Sequence, residues 1–90
     1  MRYVLFYESA DDVMPLAMQH FPAHQAHWQP FAEAGTLLGI GAFGDPQTEG
    51  SMAIFRTREA AEEFARADPF VLNGVVKNWV VRAWDDAMST

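Results

Sequence analysis

Ninety residues suffice for one compact domain, expected to span the whole of 1–90, and leave no room for a second. Half of them are hydrophobic and 13% aromatic, which argues against disorder, and the lack of cysteine removes disulfides, thiolate metal ligands and a cysteine nucleophile. The formal net charge is −6, and the six basic residues, Arg2, Arg56, Arg58, Arg66, Lys77 and Arg82, are scattered singly, which speaks against binding of nucleic acid or of an anionic membrane.

Arg2 to Glu8 is rich in β-branched and aromatic residues and predicts a first strand. It is apolar on both faces, with Tyr3, Leu5 and Tyr7 on one and Val4 and Phe6 on the other. A strand covered on one side only should alternate with polar residues, so both sides of this one need cover. The same run is too short for a signal peptide and is followed by Glu8, Asp11 and Asp12. No later stretch is apolar for the length of a bilayer crossing, and a soluble, cytoplasmic protein is expected.

Asp11 and Asp12 are candidate N-caps for a short helical turn over Val13 to Met18. Pro22 suits the first turn of a second helical segment that reaches about Ala34, with Gly35 as its stop. On that segment His24, His27, Trp28 and Phe31 share one face, and Pro30 is expected to kink or loosen the end. Thr36 to Phe43 predicts a second strand with Gly39 and Gly41 on one face, and Gly44 to Gly50 a loop of turn formers. Ser51 to Arg56 predicts the third strand. Thr57 caps a helix to about Ala67 with Ala61, Phe64, Ala65 and Asp68 on its inner face, and Pro69 forces the exit. Asn73-Gly74 predicts a turn and Val75 to Ala83 the fourth strand, with Val75, Lys77, Trp79 and Val81 alternating against Val76, Val80 and Trp84. Residues 85–90 are expected to fray.

The order β-α-β-β-α-β is the split βαβ arrangement, an α+β ferredoxin-like sandwich with a four-stranded antiparallel sheet and helices on one face. The other face still needs hiding, and a homodimer through the sheet face is the economical solution. It also suits a chain of this size, which alone buries only about 60–65% of its unfolded surface.

The run PAHQAHWQPFAEAGTLLGIGAF from Pro22 to Phe43, the Gly50-Ser51 start of the third strand, the Ala67-Asp68-Pro69-Phe70 stretch followed by Gly74, and the Val81-Arg82-Ala83-Trp84 ending together resemble the YCII-like family. The resemblance covers essentially the whole chain. It implies a dimeric α/β barrel related in architecture to muconolactone isomerases. It also implies a pocket built on a histidine and aspartates, which fall on His24, Asp68 and Asp45. His27, Trp28, Phe43, Ser51 and Phe70 are the accompanying candidates for substrate contact. Where the family often has Gly-Pro near the end of the second strand, this chain has Gly41-Ala42.

His24, among apolar neighbours, should point at the sheet and suits proton transfer; the competing reading is a core histidine satisfied by a backbone carbonyl. Asp68 can orient His24, or cap the free amides of the turn after it, or do both. His20, His24 and His27 fall at i, i+4 and i+7, but Pro22 interrupts the set and no metal site is expected. No phosphate-binding glycine loop or nucleophile elbow is present. The expected function is a cofactor-free enzyme of lyase or isomerase type acting by His–Asp general acid–base chemistry on a small aromatic or ring-containing compound. The alternatives are a non-catalytic dimeric module binding a small molecule or a protein, and a cofactor-free monooxygenase.

Overall fold

In the computed structural model, which describes residues 1–89, the elements run β1 (Arg2–Ser9), α1 (Val13–Glu33), β2 (Leu37–Ala42), α2 (Pro46–Glu49), β3 (Ser51–Phe55), α3 (Arg58–Ala67), α4 (Pro69–Leu72) and β4 (Val76–Trp84). The four strands form one antiparallel sheet in the order β2-β3-β1-β4, an α+β ferredoxin-like fold. β1 is a central strand between β3 and β4, and its Leu5 and Tyr7 face the helices. Leu5 lies opposite Ala53 and Val81, and Phe6 opposite Met52 and Val80.

Leu5, Tyr7, Ala53 and Phe55 face α3, whose Ala61, Phe64 and Ala65 are fully buried. The two alanines let the helix approach the sheet closely, and the Phe64 ring then reaches Phe55 at 5.2 Å and Phe31 of α1 at 5.3 Å. Thr57 caps α3 as expected, its side chain accepting from the Ala60 N–H at 3.2 Å. The opposite face of the sheet carries Val4, Phe6, Met52, Ile54, Val80 and Trp84, of which Val80 is 53% and Trp84 44% exposed.

Several local expectations are corrected. The two helical segments are one helix of 21 residues, with Pro22 and Pro30 inside it. Each proline forfeits one backbone hydrogen bond, but tertiary docking of the apolar face outweighs that loss. The end of α1 is as expected: Gly35, at φ +76°, closes a Schellman motif in which Thr36 N–H bonds Phe31 C=O and Gly35 N–H bonds Ala32 C=O, both at 3.0 Å. Its start is not capped by aspartate. Asp12 stands at the N-cap position in the left-handed region without a side-chain bond, and the Val13 N–H instead donates to Gln47 Oε1 of α2 at 2.9 Å. Gln47 Nε2 in turn donates to Ala10 C=O at 2.9 Å.

The expected loop over 44–50 contains the short helix α2, and Pro69 opens another short helix, α4, rather than a plain exit. At Gly50, φ is +73° and an added Cβ would collide with the Tyr7 carbonyl oxygen, so glycine is what lets β3 start against β1. In β4 a register shift opposite Glu8/Ser9 breaks the alternation. Val76 therefore joins Trp79 and Val81 in the helix-covered core instead of facing away from them. Beyond β4, Asp86 pairs with Arg2 at 3.4 Å and accepts from Met88 N–H at 3.1 Å. Of the tail expected to fray, Thr90 lies outside the described residues.

Candidate active site

Asp68 ends α3 and caps α4. Pro69 disfavours helical geometry in the residue before it, and Asp68 accordingly has φ −68° and ψ 125°. That bend turns its carboxylate inward, where it is 0% exposed. The carboxylate accepts the Phe70 N–H at 3.0 Å, as an N-cap should, and the Tyr7 hydroxyl of β1 at 2.6 Å. His24 of α1 completes the set, with Nδ1 2.8 Å from Oδ1 and 3.1 Å from Oδ2. Both roles weighed for Asp68 are therefore met at once. Three donors from three elements compensate a charge that would be very costly to bury alone.

The His24 ring is itself buried, 6% exposed, and stacks on Phe70 at 3.8 Å with 2° between the planes. A carboxylate only accepts, so in the neutral ring the proton between them sits on Nδ1 and the lone pair is on Nε2. Nε2 has no protein partner among the described residues. His24 forms part of the wall of a cavity of about 350 Å³ between α1 and the sheet.

Trp28, Phe70 and Ser51 share that wall with His24, and Phe21, Ile40 and Pro46 extend it. Among the described residues no Lys, Arg, Asp or Glu lines it. Among the described residues the Ser51 hydroxyl finds no hydrogen-bond partner. Three other sequence candidates lie apart. His27 bonds through Nε2 to the Phe64 carbonyl at 3.0 Å, the backbone anchoring first weighed for His24. Phe43 is 37% exposed beyond β2. Asp45 is exposed at the start of α2, where it accepts from the Thr48 hydroxyl and donates its N–H to Glu49 Oε1 at 3.0 Å. Among the described residues no three His, Cys, Asp or Glu side chains converge as metal ligands. His24 and His27 turn their bonded nitrogens to different partners.

Tyr7 was not singled out in the sequence as part of the site. Its signal was there: it alternates with Leu5 on the strand face that meets the helices, and a buried tyrosine needs a partner for its hydroxyl. Burial, with the Asp68 carboxylate beside it, raises the Tyr7 phenol above its ordinary 10.0. A raised acid stabilises the fold fully below its unfolded value, and the contribution is lost as pH climbs past it. The stability advantage of the wild type over Tyr7→Phe is therefore expected to hold below about pH 10 and to shrink above it, by about 1.4 kcal/mol per pH unit. Urea unfolding of both proteins from neutral pH to pH 11 (about one unit past the free phenol) measures this. A constant difference across that range would mean that the phenol is not held neutral.

The family model of the YCII-related domain matches residues 1–85. The proteins named YciI from Escherichia coli O6:H1 and Shigella flexneri are each 32% identical to this chain over 92 residues, covering 91% of it and 94% of the relative. Among solved structures, 5-chloro-2-hydroxyhydroquinone dehydrochlorinase from Burkholderia phenoliruptrix AC1100, in complex with 2,5-dihydroxybenzoquinone, superposes with a TM-score of 0.70 over 94% of both chains. Its sequence is 20% identical, so that likeness is one of fold.

Proposed function

The chain belongs to the YCII-related family, and from that premise we propose that it is a small cofactor-free enzyme using His24 and Asp68 for general acid–base chemistry on a small ring compound. The observation that carries this reading is the free Nε2 of His24 at the wall of an apolar cavity, with Nδ1 held by a buried carboxylate. Asp68 orients the imidazole and stabilises the imidazolium that forms when Nε2 takes a proton from a ring hydroxyl. Returned to another atom of the substrate, the proton completes an isomerisation. Returned to a halogen-bearing ring carbon, it makes that carbon tetrahedral, and loss of the halide with the proton of a second ring hydroxyl then gives a quinone and completes an elimination. Trp28 and Phe70 supply flat apolar walls suited to a ring. The fold neighbour is by name a dehydrochlorinase, with a dihydroxybenzoquinone bound, which favours the elimination. Halide and proton release from a panel of halogenated, hydroxylated rings tests the proposal, and no release from any of them would leave a binding module as the better reading.

A second copy of the chain is the partner that this reading includes. Val4, Phe6, Met52 and Trp84 border a groove on the sheet face away from the helices, an apolar surface with little to gain from water. A stable interface buries about 800 Å² per partner, and a four-stranded sheet face can supply such an area. Sedimentation should give twice the chain mass, and Val80→Glu with Trp84→Glu should give the single chain. A wild-type protein that sediments as one chain ends the dimer proposal.

A further inference from the structure

The cavity wall contains two residues with a polar side-chain atom that bonds nothing among the described residues: His24 of α1, through Nε2, and Ser51, the first residue of β3, through its hydroxyl. The hydroxyls of Tyr7 and Ser9 also border the cavity, but they are spent on the Asp68 carboxylate and the Pro46 carbonyl, each at 2.6 Å. Among the described residues no Lys or Arg is available there. Arg2 pairs with Asp86 and Lys77 with Glu8, while Arg56 and Arg58 donate to the carbonyls of Gly35 and Val81. Arg66 is exposed on α3, and Arg82 borders the groove on the far face of the sheet.

Resting on the catalytic reading of this cavity, we propose that the site selects uncharged ring compounds carrying two oxygens, one received by His24 and the other by Ser51, and rejects rings bearing a carboxylate or phosphate. An anion entering this wall would be stripped of water with no Lys or Arg to receive it, and it would approach the buried charge of Asp68. Its compensation would be the single neutral Ser51 hydroxyl and a protonated His24, and a protonated Nε2 can no longer accept the proton on which turnover depends. A neutral phenol or enol avoids both penalties. Its hydroxyl donates to Nε2, the second oxygen exchanges a hydrogen bond with Ser51, and the ring lies against Trp28 and Phe70.

Calorimetric titration with phenol, resorcinol and 3-hydroxybenzoate near pH 8, where the carboxylate is ionised, separates the elements of the proposal. Resorcinol should bind at least about tenfold more tightly than 3-hydroxybenzoate. Ser51→Ala should weaken resorcinol about fivefold, the value of one hydrogen bond, and leave phenol unchanged. Equal or tighter binding of 3-hydroxybenzoate overturns the charge selection, as does failure of every neutral probe to bind. A loss for phenol matching that for resorcinol overturns the role of Ser51. Selective binding without turnover would sink the catalytic reading and leave this one standing. Turnover of carboxylated rings would do the reverse.

Discussion

Replacing His24 with glutamine or alanine is expected to lower turnover by a factor of about 10²–10⁴, the usual worth of a positioned proton-transfer group, while the chain stays folded. Glutamine is the more telling variant. Its amide can still donate to Asp68, but it offers no nitrogen that takes up a proton. Neither change should unfold the protein, because α1 keeps the His27 bond to the Phe64 carbonyl and the contact of Phe31 with Phe64. Alanine leaves Asp68 with two donors and opens space beside Phe70, a loss of about 2–3 kcal/mol. Circular dichroism and urea unfolding establish the folded state, and initial rates on a substrate found in the halide-release panel give the rest. A glutamine variant within tenfold of the wild-type rate would remove His24 from the chemistry.

Helical periodicity alone puts His24 and His27 on one face as two similar imidazoles, and only the family resemblance singles out His24. What separates them is the neighbouring helix. Phe64 and Asp68 stand one turn apart on α3, and His27 and His24 stand one turn apart on α1 in the opposite sense. One ring therefore meets a backbone carbonyl and the other a carboxylate. The turn that brings a given side chain inward is local and legible in the sequence; the partner it finds across the core is not. The same division runs through the fold. Thr57 at the head of α3 and Gly35 at the tail of α1 act within a few residues of themselves, and both were readable. The cap of α1 comes from Gln47, 34 residues from Val13, and no local pattern announces it. Pro22 misled for the complementary reason. Its local penalty is real, but packing over the rest of a 21-residue helix exceeds it. The shift opposite Glu8/Ser9, which carries Val76 into the core, is likewise set by pairing between distant strands. Tyr7 lies 61 residues from the carboxylate it serves, so its face on β1 was readable and its bond was not.

Asp68→Ala is expected to be the most damaging single change, costing about 3–5 kcal/mol of stability, as breaking a buried charged network does. The methyl group leaves the Tyr7 hydroxyl, the Phe70 N–H and the Nδ1–H of His24 without the acceptor they share. The cap of α4 is lost with them. Against a total of about 5–15 kcal/mol for a typical domain, that is a large share, and urea or thermal unfolding should register it directly. Asp68→Asn distinguishes structure from chemistry. Its carbonyl oxygen keeps an acceptor for two of the three donors, so the stability loss should be smaller, about 1–2 kcal/mol. Its amide group, however, can donate to His24 and draw the lone pair to Nδ1, which moves the proton to Nε2 and blocks the base. Turnover should then fall as far as in the His24 variants although most of the fold energy is retained. If Asp68→Ala unfolds within 1 kcal/mol of the wild type, or if Asp68→Asn turns over normally, Asp68 neither anchors the site nor sets the tautomer of His24.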